Sequence, residues 1–293
     1  MSNLKKGRGT KVKGLKTIIK PQVERLTKHV DQIFKISPVK RTEKPRNEGI
    51  TVVIDTGLGI NATQDLLETA ANYIDYCKLG WATWLIQSKN LIKKKLKLYH
   101  DYDVKTLSGG SALEAARITG KLEEFMETLK TIGFTAIEIS AGIANIPPEE
   151  KSNLVKKARN LGFQTVITEV GRKDKREDAQ LKITERIKQI QHDLESGADY
   201  VTIEARESGM GIGPYDEMGK VKEPFVEKIA KQVNYKKIIW EAPLKSQQVW
   251  LIMRFGPNTN LGNIKPTEVI PLETLRLGLR LSLIHISEPT RLG

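Results

Sequence analysis

The feature that most constrains the fold is a regular alternation, beginning at Ile50, between short β-branched runs and longer stretches of helical periodicity. This alternation is typical of a parallel sheet whose strands are joined by crossover helices. Eight such units can be counted. The sequence therefore predicts a (β/α)8 TIM barrel, and a doubly wound open sheet is the alternative. The predicted strands are Ile50–Asp55, Tyr73–Lys78, Val104–Leu107, Thr135–Ser140, Thr165–Val170, Tyr200–Ala205, Lys237–Glu241 and Asn260–Ile264.

A charged residue stands at or near the C-terminal end of most predicted strands. Lys78 ends the second strand, and four glutamates lie at the ends of strands four to seven: Glu138, Glu169, Glu204 and Glu241. The C-terminal ends of barrel strands meet at one mouth, where barrel enzymes keep their active sites. We therefore predict an active site at this mouth, rather than a set of isolated surface charges.

Four glutamates in one cleft repel one another unless cations compensate them. Part of the compensating charge would come from Lys78, Lys173, Arg206 and Lys245. A divalent ion held by carboxylate oxygens would supply the rest, and Mg²⁺ suits a site that also holds a phosphate. A network of carboxylates with lysine and arginine, without a metal, is the alternative. The sequence has no cluster of cysteine and histidine that would favour zinc.

Three glycine-rich segments lie near strand ends, where backbone N–H groups can bind an anion. Gly109-Gly110 precedes a helix, and residues 207–213 follow strand six. Asn260, Gly262 and Asn263 lie at strand eight, where barrels often bind phosphate. The chain has neither the Walker lysine signature nor a Rossmann G-x-G-x-x-G after the first strand. These absences disfavour a nucleotide triphosphatase and a nicotinamide-dependent enzyme.

The positive charge is concentrated at the N-terminus. Residues 1–48 hold 14 Lys and Arg against 4 Asp and Glu, so they carry +10 of the net +13. We predict a basic extension over 1–48, partly disordered or helical, and a catalytic barrel over 49–280. Residues 281–293 look like a translated sequencing-library adapter, which we interpret as a non-native tail. Since the charge excess lies outside the barrel, we do not expect nucleic acid as a partner; a phosphate-binding arm is the alternative.

The compartment is predicted from three weaker features. The single cysteine, Cys77, precludes an intramolecular disulfide. No window approaches the roughly 18 apolar residues that a membrane span needs. No apolar run follows the basic N-terminus as it would in a signal peptide. We therefore expect a cytoplasmic protein with no membrane partner.

An ordered set of short segments resembles the phosphosulfolactate synthase family, the sulfite-adding enzymes of coenzyme M and sulfolactate biosynthesis, which includes plant heat-stress-associated relatives. The resemblance covers about residues 41–280, and the order of the segments makes it specific. The family's fold is a (β/α)8 barrel, in agreement with the eight units counted above. The main segments are Asp55-Thr56-Gly57-Leu58-Gly59, Lys78-Leu79-Gly80-Trp81, Gly109-Gly110, Glu138-Ile139-Ser140, Glu169-Val170-Gly171-Arg172-Lys173, Glu204-Ala205-Arg206 and Asn260-Leu261-Gly262-Asn263.

The resemblance implies a carbon–sulfur lyase that adds sulfite to phosphoenolpyruvate with the help of Mg²⁺ and forms (2R)-phospho-3-sulfolactate. It implies Lys173 as the general acid that protonates C2. We expect neighbouring cations and partial burial to lower the pKa of this lysine. Phosphate and carboxylate groups would be bound by Lys78, Arg206, Gly109, Gly110, Asn260, Gly262 and Asn263. The metal ligands would come from Glu138, Glu169, Glu204 and Glu241, and the sequence does not assign which of them bind.

One departure from the family's pattern motivates a different hypothesis. Ala141 stands where the family has Asp after Glu-Ile-Ser. The alternative to the enzyme is a diverged, non-catalytic barrel that acts in stress tolerance through a protein partner. Family members also suggest a homo-oligomer.

Overall fold

The structure is a computed structural model that describes residues 40–280. It contains eight strands, and each crossover between consecutive strands carries at least one helix. The strands are β1 Thr51–Asp55, β2 Tyr76–Leu79, β3 Lys105–Leu107, β4 Ala136–Ile139, β5 Thr165–Val170, β6 Tyr200–Ile203, β7 Ile238–Glu241 and β8 Leu261–Ile264. The α-helices are α1 Ile60–Ala70, α2 Lys89–Asp101, α3 Gly110–Ile118, α4 Leu122–Ile132, α5 Pro148–Asn160, α6 Lys175–Gln180, α7 Ile183–Glu195, α8 Glu223–Gln232, α9 Lys245–Phe255 and α10 Val269–Arg276.

The strands form one parallel sheet that rolls into a barrel. The order is β3-β2-β1-β8-β7-β6-β5-β4, so the first and last strands of the chain lie side by side. At the remaining seam, between β3 and β4, the N–H of Thr135 donates to the carbonyl of Thr106 at 3.2 Å. The Thr106 N–H donates in return to the Thr135 hydroxyl at 2.9 Å. The predicted (β/α)8 barrel is confirmed, and the open sheet is excluded.

Most strand bounds agree with the sequence patterns, and the largest difference is in β2. This strand begins at Tyr76 rather than Tyr73, because Ala71–Tyr73 form a 3-10 turn. The patterns also missed several short helical segments, among them the 3-10 segment Gly80–Ile86 and helix α6. Helix α6 has no apolar periodicity; it is started by the side chain of Asp174, which accepts from two backbone N–H groups.

The alternation of side chains along each strand builds the barrel interior in two layers. Residues two apart share a face, so Tyr76 and Lys78 both point inward, as do Ile167 and Glu169. The N-terminal half of the interior is an apolar cluster that includes Val52, and the outer strand faces pack against the helices in a larger core. The charged inward residues therefore rest on an apolar layer that holds them at the C-terminal mouth.

Residues 40–48, the last part of the predicted extension, pack against the opposite end of the barrel. Arg41 forms an ion pair with Glu273 at 3.0 Å, and Arg46 with Asp75 at 3.1 Å. The predictions for residues 1–39 and for the tail 281–293 lie outside the described residues. Within residues 40–280, no helix combines the length and the apolar character needed to cross a bilayer.

Candidate active site

A ring of buried carboxylates occupies the mouth formed by the C-terminal strand ends. Glu138 and Glu169 are the last but one residues of β4 and β5, Glu241 ends β7, and Glu204 directly follows β6. Each is at most 3 % exposed. The structure thus brings together the four glutamates that the sequence predicts at the mouth.

Lys78 lies on the floor of this ring. Its Nζ is 3.0 Å from Oε1 of Glu138 and 3.3 Å from Oε1 of Glu241. Burial would lower the pKa of Lys78, but Glu138, Glu241 and Glu169 outweigh burial and raise this pKa. The lysine is therefore a fixed positive charge. Below it remains a space of about 10 Å³, room for about one water molecule, so a substrate must bind above this layer.

Lys173 is the second ammonium group of the mouth and lies nearer to solvent, with a quarter of its side chain exposed. Its Nζ is 3.7 Å from Glu169 and 3.9 Å from Glu204, and it donates to the hydroxyl of Ser111 at 3.1 Å. The backbone N–H of Lys173 donates to the carbonyl of Gly142 at 2.9 Å, and this hydrogen bond links the loops after β4 and β5. The lysine thus faces the ring from above.

The expected lowering of the Lys173 pKa is wrong. Burial alone would lower the pKa, but Glu169, Glu204 and Glu114 together outweigh burial and raise it. The sequence argument counted neighbouring cations, whereas the groups that surround the ammonium are carboxylates. Lys173 therefore carries its proton and its positive charge throughout the physiological range.

Glu114, on α3, is a residue of the mouth that sequence reasoning missed. Its carboxylate is 3.6 Å from Lys173 Nζ and accepts from the hydroxyl of Ser140 at 2.6 Å. It also accepts from the N–H groups of Ile143 and Ala144, at 2.6 and 3.0 Å. Helix α3 begins at the mouth, so the position of Glu114, one turn into this helix and three residues after Ser111, was the available signal.

Two of the carboxyl groups share a proton. Glu169 and Glu204 hydrogen-bond to each other through their side chains. Burial would raise the pKa of Glu169, but Lys173 and Lys78 lower it to about 2. Burial and the neighbouring charges of Glu169 and Glu241 raise the pKa of Glu204 well above its usual range. The shared proton therefore belongs to Glu204.

The predicted glycine segments reach the mouth, but they contact protein groups. The N–H of Gly110 donates to Glu138 Oε2 at 2.8 Å, so a side-chain carboxylate already occupies the N-terminus of α3. A Cβ on Gly110 would lie 2.2 Å from the Cβ of Ser140, so only glycine fits. Gly109 adjoins Lys78, and Gly262 lies beside Glu241. Close packing around the carboxylate ring therefore accounts for the glycine residues at these positions.

Asn263 is the residue of strand eight that faces the mouth with a free acceptor. It is 5 % exposed, and its Nδ2 donates to the carbonyl of Arg206 at 3.4 Å. Its Oδ1 has no hydrogen-bond partner among residues 40–280. A buried acceptor without a donor is costly. Asn263 is therefore suited to accept from a ligand or a water.

The structure does not bring Asn260 or the Arg206 side chain into the mouth. Asn260 precedes β8 at the opposite end of the barrel, where its Oδ1 accepts from the Ile50 N–H and its Nδ2 donates to the carbonyl of Ile238. Asn260 thus links the N-terminal ends of neighbouring strands. Arg206 has a left-handed backbone, with φ of 60°, and its exposed guanidinium pairs with Glu207 at 3.6 Å.

The mouth offers carboxylate oxygens, the ligands that Mg²⁺ prefers. Within residues 40–280, no three His, Cys, Asp or Glu side chains converge as a complete metal site. Glu138 and Glu241 are already bridged by the Lys78 ammonium, which occupies the place of a cation. The Glu169–Glu204 pair fits better, since a divalent cation can replace the proton that it shares. Mg²⁺ commonly takes one or two carboxylates and completes its shell with substrate and water.

A family model and individual known proteins are similar to this chain in sequence. The family model described as (2R)-phospho-3-sulfolactate synthase (ComA) matches residues 39–282. Phosphosulfolactate synthase of Methanocaldococcus jannaschii is 48% identical over 232 residues, which cover 79% of this chain and 92% of that protein. Protein HEAT-STRESS-ASSOCIATED 32 of Arabidopsis thaliana is 24% identical over 263 residues, which cover 80% of this chain and 88% of that protein.

A solved structure supports the fold independently. The crystal structure of 3-hexulose-6-phosphate synthase from Salmonella typhimurium matches with a TM-score of 0.51 at 12% identity, over 78% of this chain and 98% of that chain. At this identity the likeness shows the barrel alone. The family match spans the whole described barrel, and the first relative shares nearly half of the aligned residues. The resemblance inferred from the sequence is confirmed: this chain belongs to the (2R)-phospho-3-sulfolactate synthase family of enzymes.

Proposed function

We propose that the protein adds sulfite to phosphoenolpyruvate and forms (2R)-phospho-3-sulfolactate, with Lys173 as the general acid. The observation that carries this proposal is the position of Lys173. Its ammonium stands above the carboxylate ring with three carboxylates within 4 Å, so it keeps a proton beside the space where a substrate must bind.

The reaction balances with one proton delivered by the protein. The sulfur of sulfite forms a bond to C3 of phosphoenolpyruvate, and the electron pair of the double bond moves onto C2 and the carboxylate. Lys173 then gives a proton to C2, and the lysine recovers a proton from solvent. Because Lys173 approaches from one side of the mouth, the proton reaches one face of C2, which accounts for a single stereoisomer.

The charge of the mouth supports Mg²⁺ as a cofactor. Five buried carboxyl groups, one of them protonated, face two ammonium groups there, and both proposed substrates are anions. Such a site repels anions unless a further cation is present. We assign the Glu169–Glu204 pair as the group that would hold Mg²⁺. When bound, the ion would stabilise the negative charge that develops on the substrate carboxylate.

The remaining residues of the mouth would hold and orient the substrate. Lys78 keeps Glu138 and Glu241 neutralised and sets the floor at a fixed depth. The free Oδ1 of Asn263 accepts a hydrogen bond from a ligand or its water. The side chain of Arg206 is exposed at the rim, and a rotation would let it reach an incoming phosphate. A cytoplasmic location and assembly of the protein as a homo-oligomer remain predictions from the sequence.

The test is a turnover assay with matched lysine variants. The purified chain is incubated with phosphoenolpyruvate, sulfite and Mg²⁺, and the product is identified by mass spectrometry. We expect phosphosulfolactate from the wild type and from Lys175→Met, which removes an exposed lysine two residues away that pairs with Glu217. We expect Lys173→Met to lose about 10²- to 10⁴-fold in kcat. No product from the wild type would reject the proposal in favour of a non-catalytic barrel.

A further inference from the structure

A second cavity lies beside the mouth, behind the C-terminal end of β5. It is enclosed by the loops that follow β4 and β5 and by helices α5 and α7, and its volume is about 390 Å³. Pockets for small organic ligands measure roughly 300–1,000 Å³. We call it the side cavity, and its polar lining includes Asn145, Lys151, Arg172, Lys188, His192 and Asp193.

The side cavity has an excess of positive groups. Two carboxylates line the cavity, and that of Glu169 faces the mouth. The other, Asp193, is buried and already paired with Lys151. The Arg172 guanidinium is held only by neutral acceptors, the carbonyl of Ala141 at 2.7 Å and Oδ1 of Asn145 at 2.8 Å. Neither Arg172 nor Lys188 forms an ion pair with any residue between 40 and 280. Two cations at one cavity thus lack a counter-charge.

The side cavity shares a wall with the mouth. Glu169 turns its carboxylate toward Lys173 in the mouth, while its backbone carbonyl accepts from the buried Lys151 at 3.0 Å. Arg172 directly precedes Lys173 in the chain. The two residues bond to adjacent carbonyls of the same loop, Arg172 to Ala141 and Lys173 to Gly142. A ligand that moves the Arg172 guanidinium would therefore disturb the loop whose hydrogen bond positions Lys173.

We propose that the side cavity is an effector site for a small organic acid, which it recognises through an oxyanion group bound by Arg172 and Lys188. The cavity holds a molecule of a few carbons, and its apolar wall at Ala141 accommodates a short carbon chain. A carboxylate, a phosphate or a sulfonate would satisfy the same donors, because each presents several acceptor oxygens. Occupancy changes turnover through the wall at β5, a consequence that rests on the proposed function.

The experiment first measures binding, which does not depend on turnover. The full chain is titrated by calorimetry with inorganic phosphate, malonate and methanesulfonate, which separate the three head groups. Lys188→Glu reverses a charge at the cavity edge, on an exposed residue. Lys156→Glu is the matched control, an exposed lysine on α5 that does not line the cavity. Lys173→Met removes a cation of the mouth.

We expect saturable binding of at least one probe to the wild type, to Lys156→Glu and to Lys173→Met, with affinity at least tenfold weaker in Lys188→Glu. Hydrogen exchange on the wild type should show protection around residues 145–151 and 188–193. Equal binding by Lys188→Glu and Lys156→Glu, loss of all binding in Lys173→Met, or no binding of any probe would overturn the site.

The coupling is then tested by turnover. The probe that binds should change kcat of the wild type in a way that excess phosphoenolpyruvate does not remove, and Lys188→Glu should keep its basal kcat but lose this response. A response that phosphoenolpyruvate abolishes would place the anion in the mouth and overturn the coupling. If the wild type lacks synthase activity, the proposed function fails, while the calorimetry still decides whether the side cavity binds.

Discussion

The backbone of Gly142 forms the support on which the Lys173 side chain rests. The Gly142 carbonyl accepts from the Lys173 N–H at 2.9 Å, and a Cβ on Gly142 would lie 3.0 Å from Cγ and 3.1 Å from Cε of the lysine. The hydrogen bond fixes the backbone of the lysine, and the missing Cβ lets its methylene chain lie against the loop. The position of the ammonium therefore depends on a residue with no functional group.

Gly142→Ala should damage catalysis more than stability. The atoms nearest to the added methyl group belong to the flexible chain of Lys173, which can move aside at small cost, but the ammonium moves with it. We expect kcat to fall about tenfold, since small misplacements of a catalytic group cost that much or more, with little change in Tm. The control is Gly59→Ala, because no described atom lies within 4 Å of the Cβ that it would add and its φ is −70°. Equal kcat for both variants would contradict this account.

The Glu169–Glu204 pair should determine the metal requirement. Treatment with EDTA should abolish turnover and added Mg²⁺ should restore it. Glu204→Gln removes one of the two carboxylates, so we expect half-maximal activity at a Mg²⁺ concentration at least tenfold higher. Glu207→Gln, at a half-exposed carboxylate three residues away, is the control and should leave the Mg²⁺ requirement unchanged. Full activity in EDTA would show that the carboxylate–lysine network works without a metal.

The sequence was sufficient for the barrel and for most of the mouth because both follow from periodicity. Alternation with a period of two places Glu138, Glu169 and Glu241 inward once the strands are recognised. The prediction of Asn260 at the mouth rests on its place in the glycine-containing segment at strand eight, where barrels often bind phosphate. The structure shows that Asn260 stands just before β8, at the far end of the barrel.

Two features of the site depend on convergence between distant segments. Glu114 comes from a helix and reaches Lys173, 59 residues later in the chain, only because α3 starts at the mouth. The pKa of Lys173 rises because three carboxylates from three different segments surround it. Composition and spacing show which charges are present, but the direction of such a shift depends on which of them lie within a few ångströms.

The raised pKa of Glu204 predicts that the metal-free protein becomes less stable as pH rises. Burial, followed by Glu169 and Glu241, raises this pKa, so the folded protein keeps a proton that the unfolded chain loses above about pH 4.3. The unfolded state then binds fewer protons, and stability falls as pH rises toward the folded pKa. In EDTA, Glu204→Gln should match the wild type in Tm near pH 4 and exceed it increasingly up to pH 8. A Tm difference that is constant with pH would contradict the assignment of the shared proton to Glu204.

The buried Asp178–Arg186 pair should hold together the loop that contains Lys173 and the loop that follows β6. Asp178 accepts from Arg186 Nη2 at 2.7 Å, from the N–H of Arg172 at 2.9 Å and from the N–H of Gly213 at 2.8 Å. It thus joins the loop after β5 to the loop after β6. Both members of the pair are at most 5 % exposed. Asp178→Asn leaves the buried guanidinium without its counter-charge, which costs about 3–5 kcal/mol.

Chemical denaturation and hydrogen exchange would measure the two consequences of this change. We expect Asp178→Asn to lower the free energy of unfolding by about that amount and to speed exchange at residues 171–174 and 205–213 together. Glu227→Gln breaks an exposed pair with Arg254 and serves as the control, with little effect on either measurement. Faster exchange in only one of the two loops would show that Asp178 anchors that loop alone and does not couple it to the other.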